Sequence, residues 1–214
     1  MQENRRGAFA RKPEKKRERE DFCKQFVIHL DFYTAFCYIG GDWRCRMNTD
    51  GFEIERKFLI RMPDRTFLST YATPSRIEQT YLRRPAPGIN ARVRKRGQEG
   101  AWVYTHTKKT RVNNMRAIED EREISEEEYR TLLLQADPER GTIRKTRWVL
   151  PHEGQLFEID IFPFWTDRAL MEIELNDESQ PVTLPPQVEI IREVTGDRRY
   201  TNASLSREVP FDEL

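Results

Sequence analysis

Phe52-Glu53-Ile54-Glu55-Arg56-Lys57-Phe58 is the stretch on which the fold turns. Alternate residues of a β-strand point to the same side, so Glu53, Glu55 and Lys57 share one face and Ile54 and Phe58 the other. The same separation by parity recurs down the chain. Arg92 and Arg94 stand against Val93, His106 aligns with Lys108, and Glu119, Glu121 and Glu123 fall together. Lys145 and Arg147 share a face, Glu158 and Asp160 oppose Phe157, Ile159 and Ile161, and Glu172 and Glu174 oppose Met171, Ile173 and Leu175. Short alternating segments punctuated by turn residues are the pattern of an all-β sandwich or barrel. The expected strands are 52–60, 77–83, 91–96, 102–108, 119–124, 142–150, 156–162 and 169–175, eight in all. Turn residues at Pro87-Gly88, 97–100 and 152–154 make several neighbours antiparallel hairpins. One helix interrupts them, opened by a capping box of Ser125 and Glu128 and continued by Tyr129, Leu132, Leu133 and Ala136 at helical spacing. A second, shorter helix is expected over 187–194, started by Pro185-Pro186.

An ordinary sandwich also alternates apolar and charged residues, with its charged face simply solvated. Against that reading, like charges recur two residues apart on six strands, where each pair repels unless a partner lies between them. If the sheet closes into an eight-stranded antiparallel barrel, the same side chains line a narrow interior. Paired acids beside paired bases there call for an ionic ligand, which makes the barrel a tunnel. Lys57, Arg92, Arg94, Lys108, Lys145 and Arg147 offer cationic donors, the arginines being suited to bidentate phosphate contacts. Glu53, Glu55, Glu172 and Glu174 offer hard oxygen ligands of the kind Mg²⁺ or Mn²⁺ takes, with Glu158 and Asp160 on the neighbouring strand; three histidines leave little for zinc. A phosphate chain bridging metals on one wall and guanidinium groups on the other neutralises the acids and the bases at once.

At 214 residues the chain holds one sizeable domain with extensions. Hydrophobic residues make up 37% and charged residues 34%, polar for a globular protein without being compositionally disordered. Lys and Arg number 37 against 36 Asp and Glu, so there is no bulk basic field to suggest nucleic acid as a partner. No window approaches a membrane span and no apolar signal-peptide core opens the chain, which places the protein in the cytoplasm and off the membrane. Cys23, Cys37 and Cys45 are spaced for neither a zinc site nor a disulfide framework. Residues 1–46 differ from the rest: a Lys/Arg/Glu-rich run, then an apolar and aromatic stretch, then Gly40-Gly41. They read either as a basic arm with a docking helix or as a poorly ordered tail, including translation from an upstream start codon ahead of a natural start at Met47. The tunnel domain is expected to span 47–214.

Glu53-Ile54-Glu55-Arg56-Lys57 resembles the ExExK signature of the CYTH superfamily, the triphosphate tunnel metalloenzymes. Ala91-Arg92-Val93-Arg94, Ile143-Arg144-Lys145-Thr146-Arg147, Phe157-Glu158-Ile159-Asp160, Met171-Glu172-Ile173-Glu174-Leu175 and 194–202 resemble the successive family blocks, in order, over about residues 52–207. The resemblance implies an eight-stranded tunnel, a two-metal arrangement of Mg²⁺ or Mn²⁺, and a small-molecule triphosphate substrate, in a monomer or homodimer. It implies that Glu53, Glu55 and Glu174 are metal ligands assisted by Glu172, and that Lys57, Arg92, Arg94, Lys145 and Arg147 grip the phosphates. Lys57, Glu55 and Glu174 would carry the catalysis. Two departures stand out: Thr105-His106-Thr107-Lys108-Lys109 where the family reads like Leu-Thr-Ile-Lys-Gly, matched here through Lys108, and Arg198 where the family has a lysine. His106 reads as a wall residue or as a proton-transfer group. Inorganic tripolyphosphate is the expected substrate, since no stretch announces a pocket for a base or a thiazole ring. Thiamine triphosphate hydrolysis, class IV-type adenylate cyclase chemistry and noncatalytic polyphosphate or nucleotide binding are the alternatives.

Overall fold

The computed structural model describes residues 52–213, together with a two-strand ladder of Tyr38–Ile39 and Asp42–Trp43. The chain divides into two compact units, 1–44 and 45–214. Apart from that ladder, the expectations for residues 1–46 and for a start at Met47 lie outside the described residues.

The second unit contains β1 (Phe52–Arg61), β2 (Thr73–Tyr81), β3 (Ile89–Gln98), β4 (Ala101–Arg111), β5 (Arg116–Ile124), β6 (Ile143–His152), β7 (Gln155–Ile161), β8 (Arg168–Leu175) and β9 (Ile190–Glu193). Ladders run β8-β7-β6-β2-β3-β4-β5-β1, and β1 pairs back onto β8, which closes an eight-stranded barrel with every pair antiparallel. β9 adds to β1 beyond its short contact with β5. The eight expected strands are the eight staves. Hairpin turns fall where turn residues stand, as at Glu153-Gly154, where both residues have positive φ as a tight two-residue turn requires. No helix among the described residues is long and apolar enough to cross a membrane.

Two apolar clusters lie on the outer face of the barrel. Ile54, Phe58 and Ile60 of β1 join Phe157, Ile159 and Ile161 of β7 and Met171 and Ile173 of β8, covered by Leu68 and Val188. Leu68 belongs to α1 (Arg65–Tyr71), a helix with no expected counterpart, capped by the Asp64 carboxylate accepting from the Phe67 amide at 2.7 Å. Ala91, Val93 and Ile124 pack under Tyr129 of α2 (Glu126–Leu133). This is the expected amphipathic helix, and the Ser125 hydroxyl accepts from the Glu128 amide at 3.1 Å as its capping box requires.

The third cluster is different in kind. Leu59, Ile143, Phe162 and Leu170 have the parity of Lys57, Lys145, Asp160 and Glu172, so they face inward, and with Trp165, Val194, Tyr200 and Leu205 they form one apolar group. Apolar side chains at those inward positions plug the interior beside the charged stretch, so the lining is polar over only part of its length. The helix expected over 187–194 is a correction: Ile190–Glu193 is a strand. β1 offers an open backbone edge there, and a short β-branched segment gains ladder hydrogen bonds on it that a single helical turn cannot supply.

Candidate active site

The inward residues of β1, β6, β7 and β8 form one ionic network. Lys57 Nζ lies 2.9 Å from Glu172 and 3.5 Å from Glu55. Glu172 also accepts from Arg147 Nη2 at 2.9 Å. Arg147 donates to Asp160 through Nε at 2.7 Å and Nη2 at 2.6 Å, and pairs with Glu158. Lys145 Nζ donates to Asp160 at 2.5 Å and reaches Asn202 Oδ1 at 3.5 Å. Across the lumen, Arg92 lies 3.5 Å from Glu119, and Arg94 Nη2 donates to Glu121 at 3.0 Å. Lys109 bridges the two walls, pairing with Glu53 of β1 and, at 2.9 Å, with Glu119 of β5.

The register explains which acids are satisfied. Arg147 stands directly opposite Asp160 in the β6–β7 ladder, so that acid is held between two cations and is fully buried. Glu174 stands directly opposite Glu55 in the β8–β1 ladder. It forms no ion pair or hydrogen bond among the described residues, and like charges opposed across a ladder repel. Burial pushes the Glu174 carboxyl up to about 8, with Glu158 and Glu53 adding to the push and Arg147 opposing it. Its residue surface is exposed, yet the carboxyl stands inside the barrel wall, where burial acts first and the neighbouring acids act in the same direction. Burial likewise raises Glu53 to about 7, against the pull of Lys109. For Lys57 burial favours the neutral form, but Glu172 and Glu55 reverse that and hold it protonated. Burial and then Arg147 push Lys145 down to about 8, despite Asp160.

Four sequence expectations require correction. Lys108 is exposed on the outer face, opposite Ala91 in the β3–β4 ladder, and Lys109 is the lysine that enters the lumen. His106 shares the outer parity, where burial and then Arg122 push it below its ordinary value. Arg198 is exposed on a 3₁₀ turn that buries Tyr200 instead, and it forms no ion pair among the described residues. Asp160 has its oxygens occupied by Lys145 and Arg147, so it orients those cations and has none to spare for a metal. Sequence reasoning also passed over β2, whose inward face carries Gln79 and Tyr81, with Gln79 Nε2 donating to the Tyr81 hydroxyl at 3.0 Å.

Arg92 Nε, Arg94 Nε and Thr105 Oγ1 are buried without a partner. Unpaired donors beside an unpaired acid describe a lining that a polyanion and a cation would complete. Among the described residues no three Asp, Glu, His or Cys groups converge on one point, and Glu53, Glu55 and Glu174 are the acids of the lumen expected from the sequence to ligate a metal. In donor chemistry they fit a hard divalent ion.

A closed antiparallel barrel whose interior interleaves carboxylates with lysine and guanidinium groups defines a charge-lined tunnel protein. No family model matches the chain. An inorganic triphosphatase of Nitrosomonas europaea is 35% identical over 162 residues, which span 74% of this chain and 99% of that protein. Among solved structures, an inorganic triphosphatase is 31% identical over 74% of this chain and 96% of that one, with a TM-score of 0.49. A Pyrococcus horikoshii protein is 23% identical over 58% and 80%, with a TM-score of 0.44. The chain belongs to the triphosphate tunnel, or CYTH, family.

Proposed function

We propose that this protein is a divalent-cation-dependent triphosphatase that hydrolyses inorganic tripolyphosphate to pyrophosphate and phosphate. The observation that carries the reading is the unpaired Glu174 facing Glu55, with Arg92 and Arg94 each keeping a spare buried donor in the same barrel. The identity to an inorganic triphosphatase supports the choice of substrate. Hydrolysis of a phosphoanhydride needs charge neutralisation and in-line positioning more than covalent chemistry. Arg92, Arg94 and Arg147 orient the phosphate chain, and Lys57, kept protonated by Glu172 and Glu55, neutralises charge on the leaving phosphate. Lys145 and Asp160 fix the Arg147 guanidinium in place. Glu53, Glu55 and Glu174 would hold Mg²⁺ or Mn²⁺, which when bound supplies charge neutralisation and a more acidic water.

A phosphate-release panel over tripolyphosphate, thiamine triphosphate and ATP, each with Mg²⁺ and Mn²⁺, tests this. Tripolyphosphate is expected to turn over fastest. Faster release from another substrate reassigns the specificity, cyclic AMP with pyrophosphate from ATP replaces hydrolysis by cyclase chemistry, and tight binding without product removes the enzyme altogether.

Two further outcomes follow from the geometry. Lys109→Ala is expected to lower turnover by about 10²-fold, whereas Lys108→Ala stays within about twofold, both read as phosphate release. Equal effects would return the lumen to Lys108. Affinity for Mn²⁺, measured by titration calorimetry, is expected to rise with pH from about 6 to about 8, because Glu53 and Glu174 must shed protons before they ligate, at about 7 and about 8. The sign for stability is opposite. Both acids titrate above their ordinary value of 4.5, so the folded state holds more protons than the unfolded one across that window. Metal-free protein therefore loses stability as pH rises from about 4.5 to about 8. A Mn²⁺ affinity flat in pH contradicts both.

A further inference from the structure

β1 changes partner on one edge just where Glu55 and Lys57 lie. Its ladder with β5 ends at Ile54, and its ladder with β9 begins at Phe58. The three residues between them have no ladder on that side, and their backbone is held by other means. The Glu55 amide donates to the Met115 carbonyl at 3.2 Å. The Lys57 carbonyl accepts from the Val194 amide at 2.8 Å. The Lys57 amide donates to the Thr195 hydroxyl at 3.0 Å, and that hydroxyl donates onward to Glu193 at 2.6 Å. Glu193 is itself fixed by a two-pronged contact from Arg56, at 2.9 and 2.7 Å. Arg56 is the outward residue between Glu55 and Lys57.

We infer that Arg56, Glu193 and Thr195 form a brace on the outside of the barrel that sets where Glu55 and Lys57 point on the inside, and that Thr195 is a positioning residue for the reaction. β8 fixes the register of β1 along its other edge, so what the missing ladder leaves undetermined is the local twist of residues 55–57, which aims their side chains. The Thr195 hydroxyl replaces the missing ladder acceptor at the one amide in question. Its donated hydrogen bond to Glu193 fixes its rotamer, so the acceptor lone pair stays aimed at Lys57. Gly196 continues the device: its φ is +78°, and a Cβ there would meet the Asn114 side chain at 2.9 Å, so the segment lies tight against the β4–β5 turn that holds Glu55.

The inference rests on the proposed roles of Glu55 and Lys57, and its test separates the two. Thr195→Val keeps the shape and removes the contacts of the hydroxyl with the Lys57 amide and Glu193, and its longer 3.5 Å approach to the Lys57 carbonyl, whereas Thr195→Ser keeps them. Turnover of tripolyphosphate with Mg²⁺ is expected to fall about tenfold in kcat for Thr195→Val with KM changed less, and to be restored by Thr195→Ser. Amide hydrogen exchange of the metal-free protein is the second readout. In Thr195→Val the Lys57 amide is expected to exchange at least about tenfold faster while the amides of β3 and β4 keep their rates, a local effect that general destabilisation does not produce. If Thr195→Val does not fold, Glu193→Gln leaves the hydroxyl in place but loosens its anchor, and about a threefold acceleration at Lys57 is expected. Unchanged Lys57 exchange in the folded variant overturns the brace. Faster exchange with full turnover keeps the brace and overturns its role in catalysis. Absence of turnover in the unsubstituted protein sinks the proposed function and leaves the exchange measurement standing.

Discussion

Asp160→Asn destabilises the barrel by about 3–5 kcal/mol, the cost of breaking a buried pair from one side, and lowers the melting temperature by about 10 °C. The substitution is isosteric, so no cavity enters the balance. Asp160 is fully buried and accepts from Lys145 and twice from Arg147. Arg147 keeps Glu172 and Glu158 afterwards, but Lys145 keeps no acid within ion-pair distance among the described residues, only Asn202 at 3.5 Å and the face of the Phe162 ring at 5.6 Å. Lys145 already titrates at about 8, below its ordinary value of 10.5, so its folded form binds fewer protons than the unfolded chain between those values and stability there rises with pH. Once lysine is neutral, the loss of its acid partner costs little. The deficit of Asp160→Asn should therefore shrink as pH rises past about 8, leaving the part owed to Arg147. Thermal unfolding of both proteins at pH 6 and pH 9 reads this directly. A deficit below about 1 kcal/mol, or one that grows with pH, means that Asp160 is not the hub of the network.

The contrast between Asp160 and Glu174 shows what a sequence withholds. Both are acids on the charged parity of neighbouring strands, and the alternation that reveals them is the same. What separates them is register: Asp160 falls opposite Arg147, and Glu174 falls opposite Glu55. The Arg147–Asp160 register is set locally by the two-residue Glu153-Gly154 turn, whereas the Glu55–Glu174 register joins the first and last staves, depends on closure of the whole barrel, and is encoded by no local pattern. Parity itself was legible on β1, β7 and β8 because their other face is mostly apolar, as in Ile54, Phe58 and Ile60, Phe157, Ile159 and Ile161, and Met171 and Ile173. On β6 the outer face mixes Arg144 and Thr146 with Trp148 and Leu150, and only the paired Lys145 and Arg147 marked the inner one. On β4 both faces are polar, with Tyr104, His106 and Lys108 outside and Thr105, Thr107 and Lys109 inside. There a one-residue slip is invisible, and Lys108 took the place of Lys109. β2 carries Ile77, Gln79 and Tyr81 inward and so reads as an ordinary strand, although it completes the wall. β9 reads as a helix in the sequence because its one ladder among the described residues is with the edge of β1, more than a hundred residues earlier.

Glu174→Ala and Glu55→Ala are each expected to remove at least about 10²–10³-fold of cation-dependent phosphate release while leaving the circular dichroism spectrum unchanged. Their stability is expected to move the other way from that of Asp160→Asn. Glu174 opposes Glu55 without a cation of its own, so removing Glu174 relieves repulsion in the metal-free barrel and holds or raises its melting temperature, while Glu55→Ala also gives up the 3.5 Å pair with Lys57 and gains less. Glu172 makes the comparison sharp. It lies two residues away on the same face but is paired with Lys57 and Arg147 at 2.9 Å each, and Glu172→Gln is expected to destabilise. A cation that binds the folded state alone stabilises it in proportion to the logarithm of its concentration over its dissociation constant, so Mg²⁺ or Mn²⁺ should raise the melting temperature of the unsubstituted protein. That rise should vanish in Glu174→Ala. Three measurements then converge on one pair of side chains: turnover falls, metal-free stability does not, and the cation no longer protects. Retained turnover in either alanine variant, or undiminished protection by Mn²⁺, would place the cation elsewhere in the tunnel and leave the opposed acids with no function to explain their repulsion.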